Sequence, residues 1–218
     1  KERSKPKNIS FEKTFKRIRQ ESVDSFKLLK RYREFLKFCV CGLFYQAGIA
    51  VVITLSAVYA QLVMKFTTAQ TITLILVVNI TAAIGAFVFG YVQDRLGHKK
   101  TLALTILLWI IMGVMAAFSH GPVSFWIAAN IAGIAMGSSQ SAGRAVVAVF
   151  APAGELAQFY SAWNVAVWGA NVLGPITYGT VTWLTSGDQR TAILVTTLFF
   201  VIGLLILRRV HLPSKTVC

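Results

Sequence analysis

The stretch at residues 90–100, GYVQDRLGHKK, places one acid, four potential cations and two glycines between two long apolar runs. The surrounding chain of 218 residues is 56% hydrophobic, and only 14% of its residues are charged. Soluble domains carry about 25% charged residues. The composition therefore predicts an all-α polytopic membrane protein in which this stretch joins two membrane spans.

Most of the charge precedes the first apolar run. Residues 1–37 hold thirteen of the 22 Lys and Arg residues and five of the eight acids. A net charge of +14 would suggest nucleic acid in a soluble protein, but basic residues beside a span bind anionic lipid headgroups and fix orientation. We expect membrane lipids as partners and no nucleic acid. Within 9–37, apolar residues at near-helical spacing predict a cytoplasmic amphipathic helix, with a solvated linker as the alternative.

Six apolar runs are long enough to cross a membrane, for which about 20 residues suffice. They are 38–60, 70–91, 101–119, 123–143, 159–182 and 191–208, and the fourth is expected to continue as helix to Phe150. Cations fall on alternate sides of these runs, which places both termini in the cytoplasm by the positive-inside rule. The expected domains are a basic linker at 1–37, a six-helix bundle at 38–208 and a cytoplasmic tail at 209–218. Because residue 1 is Lys, we interpret the chain as an internal or processed fragment that begins in a cytoplasmic segment.

The opening stretch resembles the signature loop of the major facilitator superfamily, G-x-x-x-D-R-x-G-x-K/R-K/R. The matching residues are Gly90, Asp94, Arg95, Gly97, Lys99 and Lys100. The resemblance implies the C-terminal six-helix half of a twelve-span secondary transporter, whose N-terminal six-helix half is its partner. An ordinary positive-inside turn is the alternative interpretation of the loop.

The loop's chemistry suggests a role for each polar or small residue. Gly90 would allow close helix approach, and Gly97 would allow a tight turn with backbone angles closed to other residues. Asp94 could accept hydrogen bonds from amides at the N-terminus of a neighbouring helix, here one of the other half. Arg95 could pair with Glu155 in the next cytoplasmic loop. We therefore expect the loop to act as a gate latch, and to be mobile in an isolated, inactive half.

Other segments are similar to the vacuole effluxer-like branch of that superfamily, which includes autophagy-related permeases that export amino acids from the yeast vacuole, and bacterial relatives. They are FYQAGIAVVITLSAVYA (44–60), GSSQSAGR (137–144), GELAQFYSAWN (154–164) and LGP (173–175). Proteins of that branch commonly carry an acid after the tyrosine of the first of these spans. Here Gln46 follows Tyr45, so that acid is missing. The resemblance implies a bacterial inner membrane or a vacuolar membrane.

Polar residues inside spans are costly and therefore mark candidate sites. The fourth span carries a stripe of Asn130, Gly133, Gly137, Gln140 and Arg144. The glycines favour helix packing, whereas Gln140 and Arg144 are equally candidates for substrate binding and for packing or snorkelling. The fifth span carries Tyr160, Asn164, Trp168, Asn171, Pro175 and Tyr178. We assign Asn164, Trp168 and Asn171 to substrate binding, with helix association as the alternative, and Gly174 with Pro175 to a hinge.

The remaining candidates lie in the first two spans. Tyr45 and Gln46 are assigned to the cavity. Asn79, Ala83, Ala86 and Gly90 share one face of the second span, where packing is the expected use. No Asp or Glu lies within any span, so proton coupling has no obvious carrier in this half.

Other classes of function fit poorly. The three histidines are at loops or tails, so no general base lies at membrane depth, and we expect neither an enzyme nor a metal or cofactor site. Cys39 and Cys41 are two apart and cannot form a CxxC-type pair. The predicted function is alternating-access transport of a small polar solute, with amino acids among the candidates. A non-transporting six-helix scaffold or regulatory half-transporter is the alternative.

Overall fold

The computed structural model describes residues 32–213, which form six α-helices joined by short loops. The helices are α1 Arg33–Leu62, α2 Thr68–Leu96, α3 His98–Ala117, α4 Pro122–Phe150, α5 Leu156–Leu184 and α6 Gln189–Arg208. Each predicted span coincides with one helix, and α4 continues to Phe150 as expected. The predicted amphipathic helix lies outside the described residues up to residue 31, and residues 33–37 belong to α1.

Four of these helices, α1, α2, α3 and α6, are long and apolar enough to cross a membrane. The other two, α4 and α5, are 29 residues each, longer than the roughly 20 that a crossing needs. They are absent from that set because glycine, serine, asparagine and threonine interrupt their apolar residues. The polar stripes predicted from the sequence therefore lie on the two least apolar helices.

Local sequence explains where several helices begin. Thr67 and Gln70 form a capping box before α2, in which the Thr67 hydroxyl accepts from the Gln70 amide and the Gln70 side chain accepts from the Thr67 amide. Pro122 occupies the first turn of α4, where its missing N–H is not needed. Asp188 caps α6 by accepting from the amides of Arg190 and Thr191. The Thr191 hydroxyl is the largest cause that lowers the pKa of Asp188, followed by these backbone amides.

The bundle is built mainly from five helix–helix contacts. α2 packs along α4, α1 packs along α5, and α3 lies between α4 and α6, while α6 also packs on α1. In the core, the Trp109 ring stacks on Phe200 with centroids 5.3 Å apart and donates a hydrogen bond to Ser139 Oγ at 3.3 Å. By contrast, α1 touches α2 and α4 only sparsely. The packing is therefore loosest where α1 approaches α2 and α4.

Candidate functional site

Two predicted site residues meet where α1 and α4 approach each other. Gln140 Nε2 donates a hydrogen bond of 3.3 Å to Gln46 Oε1. Gln46 is only 5% exposed, whereas Gln140 is half-buried and so keeps part of its side chain accessible. Each amide has donor and acceptor groups beyond this one bond. The pair can therefore exchange its mutual hydrogen bond for bonds to a polar solute.

The neighbouring Tyr45 lies deeper than expected for a cavity residue. Its side chain is fully buried, its ring is 6.2 Å from that of Trp163, and a Cβ at Gly143 would lie 2.5 Å from its hydroxyl. Among the residues that the structure describes, the hydroxyl meets no partner with hydrogen-bond geometry. Tyr45 therefore lies in the packed interior next to the amide pair, and its hydroxyl forms no hydrogen bond with a described residue.

The stripe on α5 divides into exposed and buried parts. Asn164, Trp168 and Asn171 are exposed, and Trp168 is 66% exposed. Tyr178 is buried and donates to Gln189 Oε1 at 2.6 Å, while the half-buried Tyr160 donates to the Arg144 carbonyl at 2.9 Å. The three exposed residues thus form one outward face with two free amide side chains.

The exposed asparagines differ from those on other helices. Asn79 donates to the carbonyl of Ile75, and Asn130 donates to the carbonyl of Trp126, each at 2.8 Å within its own helix. No such bond is formed by Asn164 or Asn171 among residues 32–213. Their amides therefore remain available for another molecule.

Arg144 lies one turn beyond Gln140 on α4. Its side chain is exposed, and no carboxylate within the described part of the chain lies within ion-pair distance. It is placed to meet an anionic group from outside this bundle, either on a solute or on another segment.

The predicted hinge on α5 is packed against α1. A Cβ at Gly174 would collide with the carbonyl oxygen of Ala47, so the two helices touch backbone to backbone there. Pro175 leaves the carbonyl four residues earlier, that of Asn171, without its helical donor. α5 nevertheless continues as one helix from Leu156 to Leu184. Because of the backbone contact at Gly174, a bend of α5 at Pro175 would also displace α1.

The signature loop makes the turn that the sequence predicted. Gly97 has φ +81° and separates α2 from α3 by a single residue, a conformation that favours glycine. The prediction for Gly97 is confirmed. Asp94, Arg95 and Lys100 are exposed around it, free to contact another part of the protein.

Two other expectations for this loop are not met within the described residues. A Cβ at Gly90 would meet nothing within 4 Å, so Gly90 makes no close helix approach here. Glu155 accepts from the Tyr32 hydroxyl at 3.5 Å and forms no ion pair with Arg95. The reason in both cases is position: this edge of α2 faces away from the bundle.

Sequence reasoning missed a clamp between three helix ends. Lys99 Nζ donates to the carbonyls of Arg208 and Val210, at 3.1 and 2.6 Å, beyond the last turn of α6. Glu34, in the first turn of α1, accepts from Lys37 Nζ at 2.6 Å and from the His211 amide at 2.7 Å. The hydrogen bond from Lys37 is the largest cause that lowers the pKa of Glu34 to about 2. A cation near a helix C-terminus was the only signal available beforehand.

The residues of α2 that pack inside the described bundle differ from most of the predicted stripe. Asn79 and Ala83 are exposed, whereas the buried residues are Thr71, Leu74, Ala82 and Gly85. The buried face of α2 is thus displaced around the helix axis from the predicted stripe. Gly133 and Gly137 of α4 do pack, since a Cβ at Gly137 would collide with the carbonyl of Ala82. Within residues 32–213, no three His, Cys, Asp or Glu residues cluster as a metal site would require.

Six helices connected by short loops, with a glycine turn between the second and third, form one half of a major facilitator transporter fold. Two solved transporters share this fold. The E. coli fucose:proton symporter FucP superposes with a TM-score of 0.74 at 18% identity, covering 87% of this chain and 45% of that protein. The inward-open xylose transporter XylE from E. coli gives 0.68 at 20% identity, covering 82% and 47%.

Sequence comparison identifies the family. A model of vacuole effluxer Atg22-like proteins matches residues 1–217, and the chain belongs to that family of the major facilitator superfamily. An uncharacterized MFS-type transporter, YxiO of Bacillus subtilis, is 27% identical over 203 residues, which are 93% of this chain and 46% of that protein. A putative metabolite transport protein of Haemophilus influenzae is 33% identical over 133 residues, or 59% and 32%. The chain thus spans less than half the length of these relatives, and it is an integral membrane protein.

Proposed function

We propose that this chain is the C-terminal six-helix half of a secondary transporter that moves a small polar solute by alternating access. The observation that carries the proposal is the Gln46–Gln140 pair, which joins α1 and α4 where these two helices otherwise touch only sparsely. Solutes of such transporters bind near the midplane, between the two halves. Gln46 lies near the middle of α1, and Gln140 lies on the signature-loop side of the middle of α4.

All six helices cross the membrane in this proposal. The two less apolar helices cannot lie elsewhere, because α4 packs along α2 and α3, and α5 packs along α1. Each would have to share the hydrocarbon layer with the apolar helices that it contacts. Their polar residues are tolerated at that depth because they face protein or a water-filled cavity.

The proposed orientation follows from the distribution of cations between the two ends of the bundle. The cations Arg95, Lys99, Lys100, Arg208 and Arg209 all lie at the end where α1 begins and α6 ends. The opposite end carries Lys65 and Arg190. The guanidinium of Arg190 donates a hydrogen bond of 2.7 Å to the carbonyl of Ser119. The positive-inside rule then places both termini in the cytoplasm. The membrane that the family resemblance implies is a bacterial inner membrane or a vacuolar membrane.

The N-terminal half of the same transporter is the proposed partner of the outward faces of α2 and α5. On α2, a continuous apolar face is exposed: Ile72, Leu76, Ile80, Ile84 and Phe87. On α5, the free amides of Asn164 and Asn171 stand beside Trp168. Lipid tails cannot hydrogen-bond these amides, so a second protein half and a solute cavity account for them better than lipid.

Apart from Arg144, the groups of this half that bind the solute are uncharged. Amide side chains and an indole ring suit hydroxyl, amide and zwitterionic solutes, amino acids among them. Arg144 would meet an anionic group of the solute at the cytoplasmic side. A scaffold or regulatory half that moves no solute remains the competing function.

The test is transport by the intact parent protein in proteoliposomes, with panels of amino acids and neutral sugars. Gln140→Ala and Asn164→Ala should each lower transport by about 2- to 10-fold, the equivalent of one net hydrogen bond of 0.5–1.5 kcal/mol. Asn130→Ala is the matched control, since that amide already bonds to its own helix. Unchanged kinetics in both variants would refute the site, and absence of flux for every solute would favour the scaffold function.

A further inference from the structure

A pocket opens in the half of the bundle that lies away from the signature loop. Its volume is about 270 Å³, and all six helices contribute to its wall. The innermost lining includes Leu55, Trp109, Met112, Met136 and Phe200. Every described residue that lines it is uncharged, and most are aliphatic or aromatic. The pocket therefore suits an apolar group, whereas burying an ion in it would be energetically costly.

The pocket lies near the amide pair along α1 and α4, although neither Gln46 nor Gln140 lines it. Met136, in its wall, precedes Gln140 by one turn of α4, and Ile53, at its mouth, follows Gln46 by two turns on the same face of α1. Ile53 is 57% exposed, and the exposed Asn79 completes the mouth on α2. A solute whose polar group is bound by the amides could thus extend an apolar group into the pocket.

We propose that this pocket is a specificity subsite for an apolar group, a branched aliphatic chain or a single aromatic ring, carried by the transported solute. The inference rests on the proposed function and adds to it a selection by size and polarity. A rigid apolar cavity of about 150 Å³ is enough to bind benzene. A pocket of about 270 Å³ accepts such a ring without repacking its wall.

The first experiment measures selectivity in the intact parent transporter. Two solute pairs differ mainly in their apolar group: glycine against phenylalanine, and methyl against phenyl β-glucoside. Ala129→Leu adds three carbons to the pocket wall, and Ala148→Leu makes the same change at an exposed position of α4 outside the pocket. We expect Ala129→Leu to lower transport of the larger member about tenfold relative to the smaller. Equal effects on both members, or the same effect from Ala148→Leu, would overturn the proposal.

A second experiment detects occupancy without transport. Ser56→Cys places a thiol in the pocket wall, and Thr54→Cys places one on an exposed face of the same helix that does not line the pocket. Labelling by N-ethylmaleimide is measured in membranes, after subtraction of the labelling of the parent protein. The larger member of at least one pair should slow labelling at position 56 several-fold and leave position 54 unchanged.

The two experiments separate the subsite from the transport function. If no solute in either panel is transported, the proposed function fails, and protection at position 56 still decides the subsite. Labelling at position 56 that is slow and unaffected by any of the four solutes indicates that lipid fills the pocket. That result overturns the proposal, as does equal protection by the small and large members.

Discussion

Gly137 sets how closely α2 and α4 approach, and replacing it by Ala tests this contact. An added Cβ would collide with the carbonyl oxygen of Ala82 and lie 2.8 Å from its carbonyl carbon and 3.0 Å from the amide nitrogen of Ala86. These are backbone atoms, so the helices themselves must separate. Overpacking of this kind costs about 1–3 kcal/mol. Ala gains about 1 kcal/mol over Gly in helix propensity, which leaves a net destabilisation of about 0–2 kcal/mol for Gly137→Ala.

Gly179→Ala is the matched control for that substitution. A Cβ at Gly179 of α5 meets nothing within 4 Å, so only the propensity gain of up to about 1 kcal/mol applies. Unfolding of the two variants in a titration with sodium dodecyl sulphate should therefore differ by about 2 kcal/mol, with Gly137→Ala the less stable. Equal stabilities would show that α2 and α4 are not in backbone contact, and would refute the packing described for the α4 stripe.

Three further perturbations test the signature loop and a helix cap. Gly97→Ala should destabilise by about 1–3 kcal/mol because φ +81° with ψ 159° is a backbone region essentially restricted to glycine, whereas Gly90→Ala should not, and thermal unfolding of the pair checks this. Lys99→Met removes the donor to the carbonyls after α6 and should speed amide hydrogen exchange there several-fold, while the exposed Lys100→Met should leave it unchanged. Asp188 has a lowered pKa in the folded state, so its stabilisation is present above the unfolded pKa of about 3.9 and is lost as pH falls through the lower folded value. Thermal unfolding between pH 6 and 3 should therefore lose part of its pH dependence in Asp188→Asn, and an unchanged profile would contradict the cap.

Local features of the fold were predictable because they depend on neighbouring residues. Apolar runs predicted where the helices lie, and Gly97 predicted the turn between α2 and α3. The helical continuation to Phe150 followed from the apolar residues after Arg144. Membrane crossing by α4 and α5 was less evident, because residues that face protein or a cavity dilute the apolar composition on which such predictions depend.

Contacts between distant helices were not predictable in the same way. Helical spacing identifies which residues share a face but does not say which helix covers it, so it could not indicate which face of α2 packs inside this bundle. The same limit applies to Lys99: its positive charge indicated a cytoplasmic position, but not that α6 ends within its reach. The pocket draws residues from all six helices and leaves no periodic pattern in the sequence.

Gln46 and Gln140 show how far residue chemistry alone can lead. Each stood out as an amide in an apolar span, and their contact required the fold to bring α1 beside α4. Neither amide titrates in the physiological range, and no Asp or Glu occurs within the six predicted spans. A solute held by these groups would therefore be recognised without a change of protonation in this half. Coupling to a proton gradient would then require a carrier elsewhere in the transporter, so that recognition and coupling reside in different halves.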